Sequence, residues 1–141
     1  MKEYPIPAVG VVIEKKGKIL LIQKGRGIFE NQWCIPGGKI EIGEEIFDTI
    51  KREVFEETCL AVDSPEFVTY QQTIERNENG NVSRHFVFFF VFFDFKVQYV
   101  SGKPKAGDDA KDIGFFAVSE LASMNISLPT INTLRVLGII K

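Results

Sequence analysis

The sequence contains few of the residues from which disulfide-bonded and zinc-bound proteins are built. Cys34 and Cys59 are its two cysteines, and one histidine occurs among the 141 residues. The cysteines lie far apart and form no Cys-x-x-Cys pair, so neither a disulfide framework nor a zinc site is indicated. We interpret both as ordinary reduced thiols.

A strong charge of one sign and a long apolar run are also absent. Lys and Arg number 17 and Asp and Glu number 19, so no overall positive field attracts a nucleic acid or an anionic membrane. The longest apolar run, residues 86–93, is far shorter than the roughly 20 residues that span a bilayer. Residues 1–7 do not resemble a signal peptide. We expect a cytoplasmic protein that binds a small molecule, with no nucleic acid and no membrane as partner.

The pattern of apolar and turn residues predicts one α+β domain over residues 1–141. Hydrophobic residues make up 45% of the chain, which is enough for one core. Strands and helices do not alternate regularly, and this favours helices packed on a mixed sheet. The predicted strands are 8–14, 18–24, 67–75, 84–97 and 112–118, the predicted helices are 44–60, 119–124 and 130–140, and residues 23–36 are predicted as a loop.

Residues 86–95 are aromatic at nearly every position, which predicts a central strand covered on both faces. We interpret its phenylalanines as core, and Phe29 or Tyr70 as side chains able to stack on a nucleobase. His85 is interpreted as a structural histidine. The aromatic strand and the apolar helix 130–140 offer more apolar surface than one small domain buries, so we expect a homodimer.

The predicted helix 44–60 has an apolar side and an acidic side. Glu53, Glu56 and Glu57 fall within an arc of about 100°, while Ile46, Phe47, Ile50, Val54 and Leu60 gather on the adjacent side. Like charges three and four residues apart repel, and no lysine follows on that face. A solvated acidic face is one interpretation. The other is a magnesium site, because Mg²⁺ prefers carboxylate oxygens and bridges to substrate phosphates.

The residues around these glutamates form a longer motif. Residues 38–60 read GKIEIGEEIFDTIKREVFEETCL, which resembles the Nudix box: Gly, five residues, Glu, seven residues, Arg-Glu, an aliphatic residue, any residue, Glu-Glu, any residue, Gly and an aliphatic residue. The preceding WCIPGG also resembles the lead-in of that family. The matching positions are Gly38, Glu44, Arg52, Glu53, Val54, Glu56, Glu57 and Leu60.

The resemblance implies a Nudix-type mixed sheet sandwiched between helices and a metal-dependent pyrophosphohydrolase. It implies Mg²⁺, or Mn²⁺ in its place, bound at Gly38, Glu53, Glu56 and Glu57. Arg52 is expected to orient a metal-binding glutamate. The alternatives are that it neutralises charge that develops during the reaction, or that it forms a surface ion pair with Asp48. Glu44 is expected at the start of the helix, where the helix dipole favours an acid, in a structural role.

Outside the box, the implied site residues lie on loops. The family often supplies a general base from a later loop, where Asp108 and Asp109 stand with Asp112 behind them; an acidic surface turn is the alternative. Arg26, between two glycines, is a candidate to bind a substrate phosphate, and a solvated arginine is the alternative. Phe29 is the candidate to bind the base.

One position departs from the box. Cys59 stands where the family usually has glycine just past the helix. A side chain there costs roughly 1 to 2 kcal/mol if the left-handed backbone is kept. We therefore expect a helix end that is built differently.

Residues 85–90, 106–110 and 112–116 resemble the branch of Nudix enzymes that cleaves ADP-ribose. The best expectation is hydrolysis of a nucleoside diphosphate linked to another group, with ADP-ribose giving AMP and ribose 5-phosphate. Two alternatives stay open. One is a nucleoside triphosphate pyrophosphohydrolase that removes oxidised nucleotides, and the other is a Nudix module that binds a nucleotide without hydrolysing it.

Overall fold

The computed structural model describes residues 4–74, 76, 78–81 and 89–141. Within them a mixed sheet carries the fold. Its strands are β1 (Ile6–Lys15), β2 (Lys18–Lys24), β3 (Trp33–Cys34), β4 (Gly37–Lys39), β5 (Ala61–Gln72), β6 (Phe90–Ser101) and β7 (Ala110–Ala117), and the helices are α1 (Ile46–Thr58), α2 (Val118–Leu121) and α3 (Leu128–Val136).

The strand order is β3-β2-β1-β6-β5, with β4 also paired to β1 and β7 to β2. The pair of β1 and β6 is parallel and the other pairs are antiparallel. β1 and β2 are joined by the two-residue turn Lys16-Gly17, whose φ angles of 52° and 76° match the right-handed twist of a hairpin. The predicted α+β fold with a mixed sheet is confirmed.

Helices cover both faces of the sheet. Alternate residues of β1 point to opposite faces: Val9 and Val11 pack in one core cluster with Ile50 and Val54 of α1. Val12 belongs to the second cluster, which contains Leu121 of α2 and Leu134 of α3. α1 therefore lies on one face of the sheet and α2 and α3 lie on the other.

Several predicted boundaries were wrong. α1 begins at Ile46, so Glu44 precedes the helix. Ile46 and Phe47 are 39% and 37% exposed and therefore do not belong to the buried core. β5 begins at Ala61 instead of 67; Pro65 fits in this edge strand because the register shifts between Asp63 and Glu66. The segment 23–36, predicted as a loop, contains the short strand β3 near its end.

The C-terminal elements also differ from prediction. β7 spans Ala110–Ala117, α2 spans Val118–Leu121, and α3 runs from Leu128 to Val136, short of the predicted residue 140. Gly138 adopts a φ of 74°, which an α-helix does not continue through. No described helix is long and apolar enough to cross a bilayer.

The aromatic strand is central, between β1 and β5, as predicted. Its two faces differ, because Phe95 and Val97 pack in the core beside α1, whereas Phe90 and Phe92 line a cavity. Full cover on both faces was therefore wrong. These statements apply to β6 from Phe90 onwards. Residues 84–88, which include the predicted start of this strand, the lone histidine and the first part of the aromatic run, lie outside the described residues.

Candidate active site

The acidic side of α1 is organised by Arg52. Its Nε and Nη2 donate to the two carboxylate oxygens of Glu44 at 2.7 and 2.8 Å, and its Nη1 donates to Glu53 at 2.7 Å and to Glu56 at 3.2 Å. Arg52 thus pairs with the box glutamates and not with Asp48. The guanidinium neutralises the repulsion between the helix carboxylates and fixes their orientation.

Glu44 acts as the anchor of Arg52. Its Oε1 also accepts hydrogen bonds from Thr49 Oγ1 at 3.0 Å and from the Glu41 backbone N–H at 2.9 Å. Arg52, together with that backbone donor, lowers the pKa of Glu44 to about 2. Glu44 is therefore a fixed negative charge beside the helix, which fits the structural role expected of it.

Glu53, Glu56 and Asp108 come together at the exposed side of α1. One carboxylate oxygen from each lies within 4.8 Å of the others. Gly38 makes room for this group, since a Cβ there would lie 2.3 Å from the Glu53 carboxyl carbon. Burial raises the pKa of Glu53, against the opposing effect of Arg52. Three oxygen donors in this arrangement fit a divalent cation.

Glu57 lies deeper, only 1% exposed. Its Oε1 accepts the Gly37 backbone N–H at 2.8 Å, and its Oε2 has no hydrogen-bond partner in the described part of the chain. Lys24 Nζ lies 3.6 Å from that oxygen. Burial raises the pKa of Glu57 to about 8, although Lys24 opposes the shift. A buried carboxylate oxygen without a donor is itself a place that suits a cation.

Lys24 links Glu57 to the loop that carries the predicted base. Its Nζ donates to Asp109 Oδ2 at 2.8 Å. Burial alone would lower the pKa of Lys24, but Glu57 and Asp109 outweigh it and raise the pKa above its ordinary value. Lys24 therefore stays charged between two acids.

The loop before β7 is attached to the C-terminal end of α1. Lys105 N–H donates to the Thr58 carbonyl at 3.0 Å and Gly107 N–H donates to the Glu57 carbonyl at 3.1 Å. These bonds satisfy carbonyls that the helix leaves free. They also explain how Asp108, some fifty residues away in sequence, reaches the helix glutamates.

Cys59 ends α1 in the left-handed conformation, with φ 62° and ψ 16°, and its N–H donates to the Phe55 carbonyl. The expectation of a differently built helix end was wrong. The backbone keeps the shape that glycine usually supplies, and the strain is carried by this cysteine.

A cavity of about 510 Å³ adjoins the acidic group. It is lined by Gly38 and by the acidic residues Glu53, Asp108 and Asp109. Phe90, Phe92 and Pro129 also line it and give it an apolar, aromatic wall. A nucleotide needs both kinds of surface, since its phosphates are anionic and its base is flat and largely apolar.

The predicted substrate residues also reach this cavity. Arg26 and Phe29 both line it. Arg26 is 73% exposed at its side chain and lies 3.5 Å from Asp108, so it is free to swing towards a phosphate. Tyr70 is 67% exposed and is not among the lining residues. Asp112 is not among the lining residues, and its carboxylate accepts a hydrogen bond from the backbone N–H of its neighbour Ile113.

Lys24 and Asp94 are among the lining residues that were not predicted from the sequence. Asp94 stands between phenylalanines in β6, and that contrast was the available signal for it. Lys24 ends β2, which also contains Lys18, so the sequence offered no such signal for Lys24. Burial raises the pKa of Asp94, whereas hydrogen bonds from Gln71 and Thr133 lower it. Neither partner is close to Asp94 in sequence.

A family model for the NUDIX domain matches residues 4–134. The chain belongs to the Nudix hydrolase family. The resemblance drawn from residues 38–60 is therefore confirmed, and the glutamates described above belong to an enzyme of this family, whose members generally use a divalent metal ion.

This Nudix hydrolase is 32% identical over 121 residues to the ADP-ribose pyrophosphatase of Methanocaldococcus jannaschii, over 86% of the chain and 67% of that protein. It is 26% identical over 133 residues to the nucleoside triphosphatase NudI of Escherichia coli strain K12, over 92% of the chain and 94% of that protein. The crystal structure of the MutT NUDIX hydrolase from Burkholderia pseudomallei shares 25% identity and superposes with a TM-score of 0.81 over 96% of the chain and 99% of that structure.

Proposed function

We propose that this enzyme hydrolyses the pyrophosphate bond of a nucleoside diphosphate linked to another group, with ADP-ribose as the preferred substrate. Water adds to one phosphorus, the bridging P–O bond breaks, and the products are AMP and ribose 5-phosphate. The observation that carries this proposal is that the acidic group and the aromatic wall line the same cavity. Similarity to an ADP-ribose pyrophosphatase supports the choice of substrate.

We propose Glu53, Glu56, Glu57 and Asp108 as the residues that hold Mg²⁺, or Mn²⁺ in its place, with Gly38 leaving the space that they need. With a divalent cation held by these residues, the site would supply Lewis-acid chemistry: polarised phosphate oxygens, a lowered pKa of bound water and a stabilised leaving phosphate. Arg52 orients Glu53 and Glu56 through its two hydrogen bonds to them.

The loop before β7 is proposed to supply the general base. Asp109 is held by Lys24 at 2.8 Å, which keeps its carboxylate at the cavity, ready to accept a proton from the attacking water. Asp108, next to Glu53 and Glu56, is the alternative base if it does not bind the metal. Arg26 is proposed to bind a substrate phosphate and Phe29 to pack on the base.

A panel of substrates with Mg²⁺ tests the proposal. ADP-ribose, sugar nucleotides, dinucleotides and nucleoside triphosphates are incubated with the enzyme and the products are separated by chromatography. We expect AMP and ribose 5-phosphate from ADP-ribose, and no products after chelation of the metal. A chain that binds ADP-ribose and releases no product from any substrate is a binding module, and the proposal then fails.

The second candidate is a nucleoside triphosphate pyrophosphohydrolase. Similarity to NudI over nearly the full length of both chains favours it. The same panel distinguishes the two, because this activity releases pyrophosphate from a triphosphate and leaves ADP-ribose intact. Oxidised triphosphates belong in the panel for this reason.

We also propose that residues 1–141 form one domain and that the enzyme is a homodimer. Phe67 and Tyr70, both more than half exposed, lie on the edge strand β5 and offer apolar surface for a second copy. A monomeric mass in solution at micromolar concentration would overturn the dimer.

A further inference from the structure

The part of the cavity wall that β6 forms contains one buried carboxylate. Phe90, Phe92 and Asp94 alternate along β6, so their side chains leave the same face of the strand, and all three line the cavity. The two phenyl rings stack with centroids 5.2 Å apart. Asp94 is only 2% exposed, and it stands next to this ring pair on the cavity face.

One oxygen of Asp94 is occupied by the protein. Oδ2 accepts hydrogen bonds from Gln71 Nε2 at 2.9 Å and from Thr133 Oγ1 at 2.8 Å. Asn132 Nδ2 donates to Gln71 Oε1 at 3.3 Å, which keeps the amide nitrogen of Gln71 turned towards Asp94. The orientation of the carboxylate is therefore set by three side chains from β5 and α3.

The other oxygen is directed over β1. Gly10 is the Cα partner of Asp94 across the parallel pair, and a Cβ at Gly10 would lie 2.3 Å from Asp94 Oδ1. Within the described residues, no hydrogen bond to Oδ1 is formed. Asp94 lines the cavity, so this oxygen is able to accept a hydrogen bond from a ligand bound there.

The position of Asp94 defines which part of a nucleotide it can meet. Gly10 pairs with Asp94 on one side and with Gly37 on the other, and Gly37 donates to Glu57. Asp94 therefore lies two inter-strand spacings, roughly 10 Å, from Gly37, the residue that contacts Glu57. A carboxylate repels phosphates, so it faces the uncharged end of the ligand, and the neighbouring rings of Phe90 and Phe92 suit a flat base.

We propose that Asp94 is a specificity-determining residue, whose Oδ1 accepts a hydrogen bond from the exocyclic amino group of the substrate nucleobase. This inference rests on the proposed function for the placement of the phosphates. This hydrogen bond favours adenine or cytosine over hypoxanthine or uracil. In the latter two bases an oxygen acceptor replaces the amino donor and would face the carboxylate. Asp94 acts on binding and takes no part in bond breaking.

The variant Asp94→Asn gives a directional test. Gln71 and Thr133 both donate to the Oδ2 position, so the amide oxygen of asparagine is expected there. The amide NH₂ then takes the place of Oδ1 and presents a donor to the cavity. A residue that only ties β6 to α3 would change stability without changing which base is preferred.

Binding of AMP against IMP, and of CMP against UMP, is measured by calorimetry with Mg²⁺ for the parent enzyme and Asp94→Asn. We expect the parent to prefer the amino base in at least one pair by roughly 10- to 100-fold, the range of a hydrogen bond to a charged group. Asp94→Asn should lose or reverse that preference. Thr133→Val is the matched control, which removes a contact to Asp94 but keeps the carboxylate and should keep the preference.

Gly10→Ala is the second variant, because its methyl group must displace Asp94 Oδ1 while the charge is retained. Gly10→Ala should also lose the preference for the amino base. It provides the test if Asp94→Asn does not fold. Equal binding within both pairs by the parent, or an unchanged preference in the folded variants, overturns the inference. Contact with the ribose alone would lower binding of all four nucleotides equally and overturn it too. Because these are binding measurements, failure to hydrolyse ADP-ribose would count against the proposed function and leave this test intact.

Discussion

Arg52 and Glu44 form a two-point ion pair across eight residues, with Nε and Nη2 at 2.7 and 2.8 Å from the two carboxylate oxygens. Because Glu44 fixes the Nε and Nη2 atoms of the guanidinium, the remaining nitrogen, Nη1, is directed at Glu53 and Glu56. The pair therefore holds the carboxylates in position before any ligand arrives. Preorganised charges of this kind are a main source of enzymatic rate enhancement.

Glu44→Gln should weaken this positioning. We expect turnover or metal affinity to fall by roughly 10- to 100-fold, the usual effect of losing a residue that orients metal ligands. The neighbouring Glu45, exposed and without a side-chain cap bond, provides the control Glu45→Gln, which should behave like the parent. Steady-state kinetics at several Mg²⁺ concentrations measure both effects. Equal behaviour of the two variants would mean that Arg52 needs no anchor.

Lys24→Met should destabilise the metal-free protein. The change removes the cation between Glu57 and Asp109, and an acid left buried without its partner costs about 2 to 3 kcal/mol. Denaturant unfolding in chelator measures the free energy of unfolding. Lys18→Met, at an exposed position of the same strand, is the control. A loss no greater than that of Lys18→Met would show that Lys24 does not stabilise these acids.

The loop aspartates should separate into different roles. Asp109→Asn is expected to lower turnover by roughly 10²- to 10⁴-fold, as for a positioned acid–base group, with little change in metal affinity. Asp108→Asn is expected to weaken metal binding, because its carboxylate lies with those of Glu53 and Glu56. Asp112→Asn should stay within a few-fold of the parent. Three active variants with normal metal affinity would remove the loop from the mechanism.

Cys59→Gly should stabilise the fold. The left-handed backbone at φ 62° disfavours a side chain by about 1 to 2 kcal/mol, and part of that gain is lost to the greater freedom of glycine in the unfolded chain. A net rise of up to about 1 kcal/mol in the free energy of unfolding is expected. Cys59→Ala keeps the Cβ and should give no such rise; if it does, the thiol and not the backbone is responsible.

The acidic helix and its motif could be predicted from the sequence because both depend on local spacing. Glu53, Glu56 and Glu57 lie within one and a half turns, so helical geometry alone places them on one side. The sequence could not show that Glu57 is buried deeper than the other two. That difference arises from Gly37 and Lys24, which approach from other strands.

The cavity wall could not be predicted, because it is built from pairs distant in sequence. Asp94 meets Gln71 and Thr133, 23 and 39 residues away, and these contacts exist only once β6 and α3 are packed. The pattern of phenylalanines correctly indicated a central strand. The phenylalanines themselves did not show that one face is left open, since they occur on both faces of β6.

The central claim, that the α1 carboxylates hold the metal on which pyrophosphate hydrolysis depends, is tested most directly by ADP-ribose turnover as a function of Mg²⁺ concentration. The parent, Glu53→Gln, Glu57→Gln and the exposed control Glu120→Gln are compared, with folding checked by circular dichroism. We expect turnover to be lost in chelator, to fall by at least about 100-fold in Glu53→Gln and Glu57→Gln, and to be unchanged in Glu120→Gln. Near-normal turnover in the folded Glu53→Gln and Glu57→Gln variants, or full turnover without metal, would contradict the claim.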